Sequence, residues 1–305
     1  MTLDFLFILI VGGAAFLYAA LVPGRGRGWA LLIGSVIGIY WLQPSLPIRF
    51  SSFILQTATV VLTVATWWLT KPISDVNPQS EIGNPKSENL KTLAIILALV
   101  VLMAHNRYLN FDVRLTADRP PPPLAVAAVL GVLGFFLLVL MRRQKTAVSK
   151  RVLSGAILII VLLLVVLKWE PLAVRAAAVW RSAAGHDVSL AGIGDLAWLG
   201  FSYVAFRLIH TLRDRQTGIL PDLTLREYVI YVLFTPAYIA GPIDRAERFL
   251  GDLQQLPQMV GLDGARFAAG GTRILVGMFK KFVIADGLAQ GMSLTCLLYT
   301  SDAAD

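Results

Sequence analysis

Long apolar runs separated by short, basic connections constrain this chain more than any other feature. No residue from Val152 to Leu167 carries a charge, and none from Phe5 to Val22 does. Crossing a hydrocarbon core of about 30 Å takes roughly 20 predominantly apolar residues. Inside that core every backbone N–H and C=O must find its partner within the protein, which favours helices. The pattern predicts about nine apolar segments, at 3–22, 29–46, 50–70, 92–105, 124–141, 152–168, 196–212, 228–242 and 267–290. Only 15% of the residues are charged and 56% are hydrophobic, whereas a soluble domain has about 25% charged. The expected fold is therefore all-α, a polytopic membrane protein embedded in a lipid bilayer.

The net charge of +8 does not point to nucleic acid. Lys and Arg collect in the short connections, as in "RGRG" and "MRRQKTAVSKR", where basic residues orient membrane helices. No basic stretch is interleaved with exposed aromatics, as a nucleic-acid surface would require. The loop 142–151 holds Arg142, Arg143, Lys145, Lys150 and Arg151 and no acid, so it is expected on the cytoplasmic side. The stretch "WEPLAVRAAAVWRSAAGHDVS" mixes apolar and basic residues at helical spacing and suits a helix lying in the interface.

One apolar run is interrupted in an unusual way. "YVLFTPAYIAGPIDR", residues 231–245, contains Pro236 and Pro242, with Gly241 beside the second. Proline lacks the backbone donor and clashes with the preceding turn, at about 3 kcal/mol in a helix interior. The carbonyls of Val232 and Tyr238 lose their helical partners, and broken backbone at membrane depth needs burial in protein or a cavity beside it. A broken or re-entrant helix is expected around Pro236–Pro242.

Four cations sit within apolar runs: Arg207, Arg273, Lys280 and Lys281. A charge near the bilayer centre costs at least about 2.5–3.5 kcal/mol, so such groups face the interior or reach an interface. Arg207 and His210, three residues apart, are expected to share a helix face, and either could contact an internal cavity. His105 and His186 read as solvated, and His210 as an interfacial structural residue. No Ser/His/Asp order, metal-ligand spacing or phosphate-binding glycine loop is present, so no cofactor and no metal are implied. The lone cysteine, Cys296, opens the decapeptide "CLLYTSDAAD". This decapeptide is similar to the in-frame translation of a transposon adapter used in sequencing libraries. Residues 296–305 are thus expected to be an adapter-derived tail, with the natural sequence continuing past about residue 295.

Three stretches carry a resemblance: "WLGFSYVAFRLIHTLRDRQTG", "LREYVIYVLFTPAYIAGPIDRAERFLGDLQQ" and "GGTRILVGMFKKFVIADGLA". In this order they resemble the membrane-bound O-acyltransferase superfamily, in particular its bacterial branch of alginate O-acetylation and teichoic acid D-alanyl transfer proteins. Phe201, where that branch often has a small aliphatic residue, departs from the pattern. The resemblance covers about residues 196–290 and divides the chain into N-terminal helices at 1–195, a partial acyltransferase core at 196–295 and the tail at 296–305.

The resemblance implies helices around a thinned centre, with broken segments lining a funnel toward a buried histidine. Tyr203, Arg207, His210, Pro236, Gly241, Pro242, Arg245, Lys280, Lys281 and Asp286 are its funnel-lining candidates. The motif histidine itself is expected beyond residue 295, and none of His105, His186 and His210 matches it. The activity implied is transfer of an acyl group from a cytoplasmic thioester, acyl-CoA or an acylated carrier protein, to a hydroxyl of an exported or cell-surface glycan acceptor. An extracytoplasmic partner acyltransferase could complete such a pathway. The residues alone leave two alternatives open: a polytopic transporter or flippase, and a non-catalytic membrane scaffold.

Overall fold

The computed structural model describes residues 2–71, 85–109, 115–143, 148–239, 241, 244–258 and 263–289. Pro242 and the expected tail at 296–305 lie outside the described residues. The helices are α1 (Thr2–Leu21), α2 (Arg27–Leu42), α3 (Ser51–Thr70), α4 (Pro85–Asn106), α5 (Pro123–Arg143) and α6 (Lys150–Lys168), followed by α7 (Glu170–Ala183), α8 (Phe201–Thr217), α9 (Leu225–Leu233), α10 (Ala246–Gln255) and α11 (Gly264–Phe279). No strand occurs among the described residues.

The described residues of the nine expected apolar segments are largely helical. Among the described residues three helical stretches are long and apolar enough to cross a bilayer: Ser51–Thr70, Ser87–Asn106 and Lys150–Lys168. Gly12–Leu21 and Pro123–Phe135 are shorter apolar stretches. The expected segment 228–242 takes in the last six residues of α9, a nine-residue helix about 13 Å long and far short of a 30 Å core. The expected segment 196–212 corresponds to α8, which runs on through the charged "RDRQT" to Thr217. Apolar composition marked burial in protein at these places, which looks the same in sequence as burial in lipid.

The described residues of 24–258 form one compact unit, and α9 is its hub. α9 packs against α2, α3, α4, α8 and α10. Leu225 and every residue from Tyr228 to Leu233 are buried. Thr224 starts the helix with a reciprocal cap: Glu227 N–H donates to Thr224 Oγ1, and Thr224 N–H donates to Glu227 Oε2. Leu225 N–H donates at 2.9 Å to Asn89 Oδ1 of α4, so the helix start is satisfied inside the protein.

α3 presents a polar stripe to α8 and α9: Gln56, Thr59, Thr63, Thr66 and Thr70, all buried. The hydroxyls of Thr59, Thr63 and Thr66 each donate to the carbonyl four residues back. Self-satisfied small polar residues of this kind let helices approach closely in an apolar surrounding.

α7 is followed by two short turns, Val188–Leu190 and Ile193–Leu196, and the second is fixed to it by charge. Arg181 donates from Nε and Nη2 to both carboxylate oxygens of Asp195, at 2.6 and 2.7 Å, and Gly192 N–H adds a third donor. This two-pronged pair sets the height at which the chain enters α8.

The described residues of 1–23 and 259–305 form the other unit. Phe16 of α1 meets Phe267 of α11 edge to face, with ring centroids 5.6 Å apart. Asp263 caps α11 by accepting from the N–H groups of Ala265 and Arg266. A π-helical turn, Lys280–Ala285, follows Phe279.

The hydrogen bonds from Arg181 hold the Asp195 carboxyl below its usual range. A carboxyl depressed in the folded state stabilises above its unfolded pKa of about 3.9, and that stability is lost as the pH falls through the lower folded value. Thermal unfolding in detergent between pH 7 and pH 2 should therefore show a loss of melting temperature below about pH 4. In Asp195→Asn the melting temperature should already be lower at pH 7, and the acid-dependent part of the loss should shrink. An identical pH profile in wild type and variant would contradict this role.

Candidate functional site

The candidate site is the break between α9 and α10. α9 ends at Leu233: Pro236 has no N–H to donate to the Val232 carbonyl, and Phe234, with a ψ of 103°, is where the backbone leaves helical geometry. A tight turn, Thr235–Ala237, then takes Pro236 near its start, where no donor is needed. The last carbonyls of α9 are left without helical partners, as at any helix end.

Arg207 of α8 supplies them. Its Nη1 donates to the carbonyls of Tyr231 at 3.2 Å and Val232 at 3.0 Å, and its Nη2 to that of Ala237 at 2.9 Å. The guanidinium thus bridges the last turn of α9 and the turn that carries Pro236. It is buried, only 3% exposed, and lies 6.0 Å from the centroid of the Tyr231 ring. A cation at a helix C-terminus also meets the negative end of the helix dipole. The carbonyl of Val232, freed by Pro236, has found its donor.

A second set of contacts holds the far side of the break. Tyr238 OH donates at 2.7 Å to Gln56 Oε1, and Gln56 Nε2 donates at 2.6 Å to Gln43 Oε1. Gln43 Nε2 donates to the carbonyl of Ala197, and Leu199 N–H donates back to Gln43 Oε1. Trp198 Nε1 donates to Thr59 Oγ1 at 2.8 Å. The Tyr238 ring lies against Gly200, whose φ of +72° favours glycine and whose added Cβ would overlap that ring. Two of the three motif stretches therefore meet here: the entry to α8 and the break after α9 share one buried polar cluster.

The predicted site residues do not all gather at this point. Arg207 is at its centre. Tyr203 is half-buried on the same helix. His210 is exposed, so the expectation that Arg207 and His210 share a face is corrected. Residues three apart on a helix are about 60° apart, and here the edge of the buried arc passes between them. Pro236 is exposed, and Gly241 is half-buried against Ala237 so closely that a Cβ would collide with it. Arg245 is exposed and precedes α10. Lys280, Lys281 and Asp286 are exposed in the other unit, on and just after the π-helical turn. Pro242 lies outside the described residues.

Gln43, Gln56, Thr59, Trp198 and Tyr238 were not anticipated. The signal for most of them was present: polar residues at three- and four-residue spacing along an otherwise apolar α3 mark a face turned to other helices. Among the described residues no group of three His, Cys, Asp or Glu side chains could hold a metal ion.

Similarity to known proteins is local and specific. Over 90 residues, 30% of this chain, it is 37% identical to the teichoic acid D-alanyltransferase of Streptococcus thermophilus. It is 31% identical over 93 residues to that of Lacticaseibacillus rhamnosus, and 30% identical over 90 residues to that of Bacillus subtilis. The resemblance read in the sequence is borne out. The match spans about a fifth of each relative, 21% of the first and 22% of the other two. No protein-family model and no solved structure matches the chain.

Two substitutions test the site as a structural unit. Arg207→Met leaves three interior carbonyls without donors and should cost about 3 kcal/mol of stability. Arg207→Lys, which keeps charge but not the planar fork, should fall between it and wild type. Melting in detergent micelles measures both, and a wild-type melt for Arg207→Met would contradict the assignment. Gly200→Ala combines backbone strain with overlap on Tyr238 and should cost about 3 kcal/mol by the same measurement.

Proposed function

We propose that this chain is part of a membrane-bound O-acyltransferase of the bacterial plasma membrane, acting on an exported or cell-surface glycan. The observation that carries this reading is the 30–37% identity to three teichoic acid D-alanyltransferases. The break supports it, because irregular backbone within an apolar protein has to be held by internal partners, and here Arg207 holds its carbonyls.

In the proposed reaction a glycan hydroxyl attacks the carbonyl of a cytoplasmic thioester, borne by coenzyme A or by a carrier protein. The new C–O bond forms, the C–S bond breaks, and the hydroxyl proton passes through a general base to the departing thiolate. Such a base contributes typically about 10²–10⁴-fold. A site reached from both faces of the membrane lets donor and acceptor meet without either crossing. His105, His186 and His210 are all exposed, which favours a base outside this set. On this reading the 305-residue chain is a fragment without activity of its own, and an extracytoplasmic acyltransferase is a fitting partner.

Membranes from cells carrying the intact gene, and from cells in which it is disrupted, would be supplied with radiolabelled D-alanyl and acetyl thioesters. Hydroxylamine-labile label in the surface glycan should appear only with the intact gene. Equal labelling in both would overturn the reading. His210→Gln in the intact protein should leave transfer within about twofold of wild type, as befits an exposed residue. A loss of several orders of magnitude would instead make His210 the base.

A further inference from the structure

The two short turns that follow α7, Val188–Leu190 and Ile193–Leu196, expose three large apolar side chains within six residues. Leu190 is 67% exposed, Ile193 50% and Val188 46%. We propose that these turns dip into the lipid of the leaflet where α6 emerges at Lys168, with Val188, Leu190 and Ile193 as the inserted side chains. The proposal does not rest on the acyl-transfer reading.

Two contacts fix the level at which α7 lies. α6 is long and apolar enough to cross a bilayer, and little of it is buried against protein. Trp169 ends α6, its N–H donating to the Val165 carbonyl, and also begins α7, so no linker lifts α7 away from the end of that span. Near its other end, Trp180 Nε1 donates at 2.7 Å to Oγ of Ser51, the first residue of a second spanning stretch, α3. A helix pinned to the ends of two spans lies along the membrane surface. Lys168 and Trp169, both exposed at the junction, are residue types that settle at headgroup level. α7 itself turns its small apolar face to the protein, where Ala173 and Ala177 are buried. Apolar contact with lipid is therefore left to the turns that follow it.

The turns are built for a place with little water. No residue from Val188 to Gly194 is charged. Both flanking carboxylates are engaged: Asp187 accepts from the N–H and Oγ of Ser189, and Asp195 from Arg181. Backbone donors find partners close by, with Ala191 N–H on the Val188 carbonyl, Gly192 N–H on Asp195 Oδ2 and Asp195 N–H on the Gly192 carbonyl. Irregular backbone next to lipid needs such internal partners. Arg181 holds both ends of the loop, since its Nη1 also donates to the Asp187 carbonyl at 3.3 Å. The three apolar side chains are thus presented in fixed positions, and inserting them costs little further ordering. They gain only by leaving water, and lipid is the apolar medium at this level.

The full chain would be reconstituted in phosphatidylcholine vesicles with a small apolar diazirine dissolved in the bilayer. After illumination, mass spectrometry of the peptides should find label within 188–193 as well as on α6, whose Leu158, Ile159 and Leu162 are exposed. Leu190→Glu combined with Ile193→Glu should lower the label within 188–193 about tenfold and leave that on α6 unchanged. The melting temperature in detergent should not move, because both side chains are exposed. Three results would overturn the proposal. Label on α6 with none within 188–193 would put the turns in water. Label within 188–193 that appears only once detergent has dispersed the membrane would mean that another protein covers them. Labelling unmoved by the double substitution would mean that these side chains do not hold the turns in lipid.

Discussion

The three hydrogen bonds from Arg207 to main-chain carbonyls are the contact on which the rest of this structure depends. A helix that ends in the middle of an apolar protein leaves carbonyls with nothing to accept from, and each costs about 1–3 kcal/mol if it stays bare. A guanidinium in the same place has a desolvation problem of its own. Each group answers the other, because the fork presents several donors in fixed directions to several acceptors in fixed positions. Only with that exchange in place can α9 be short, largely buried and still serve as the hub of five other helices.

Half of this arrangement was legible in the sequence. Pro236 in an apolar run announces a broken helix, and simple counting names Val232 as the carbonyl it frees. Which group would meet that carbonyl was not legible, because Arg207 lies 25 residues away along the chain and only folding brings it there. Arg207 stood out as a cation in an apolar run, but rotation along α8 could not say that it would be buried while His210 was exposed. The difference of about 60° between them is smaller than the uncertainty in where a buried arc ends. Which apolar segments are spans was not legible for a related reason. Hydropathy records that a residue avoids water, and α9 avoids water inside protein.

Gln43, Gln56 and Tyr238 were hidden by a different limitation. Each is unremarkable alone, and a glutamine next to a proline reads as the end of a segment. Their meaning lies in mutual satisfaction: every amide oxygen and nitrogen in the Gln43–Gln56 pair has a partner. A fully satisfied buried network specifies one arrangement of its surroundings, since any shift leaves a polar atom bare. That is why Trp198–Tyr203 and Phe234–Tyr238 behave as one structural element despite their separation. The turn of α8 at Gly200 has its shape because the Tyr238 ring occupies the place of a side chain.

It follows that the break is a fixed wall and not a hinge. A hinge requires backbone groups that can exchange partners at low cost, usually with water. Here the partners are a buried guanidinium on one side and a closed amide network on the other, both in an apolar surrounding. The acceptors of Arg207 are main-chain carbonyls, so changing the side chains of Tyr231, Val232 or Ala237 alters them only by moving backbone. The arrangement is thereby concentrated in one side chain. Any chemistry conducted next to this wall would use it as a rigid reference, with motion confined to groups that lie elsewhere.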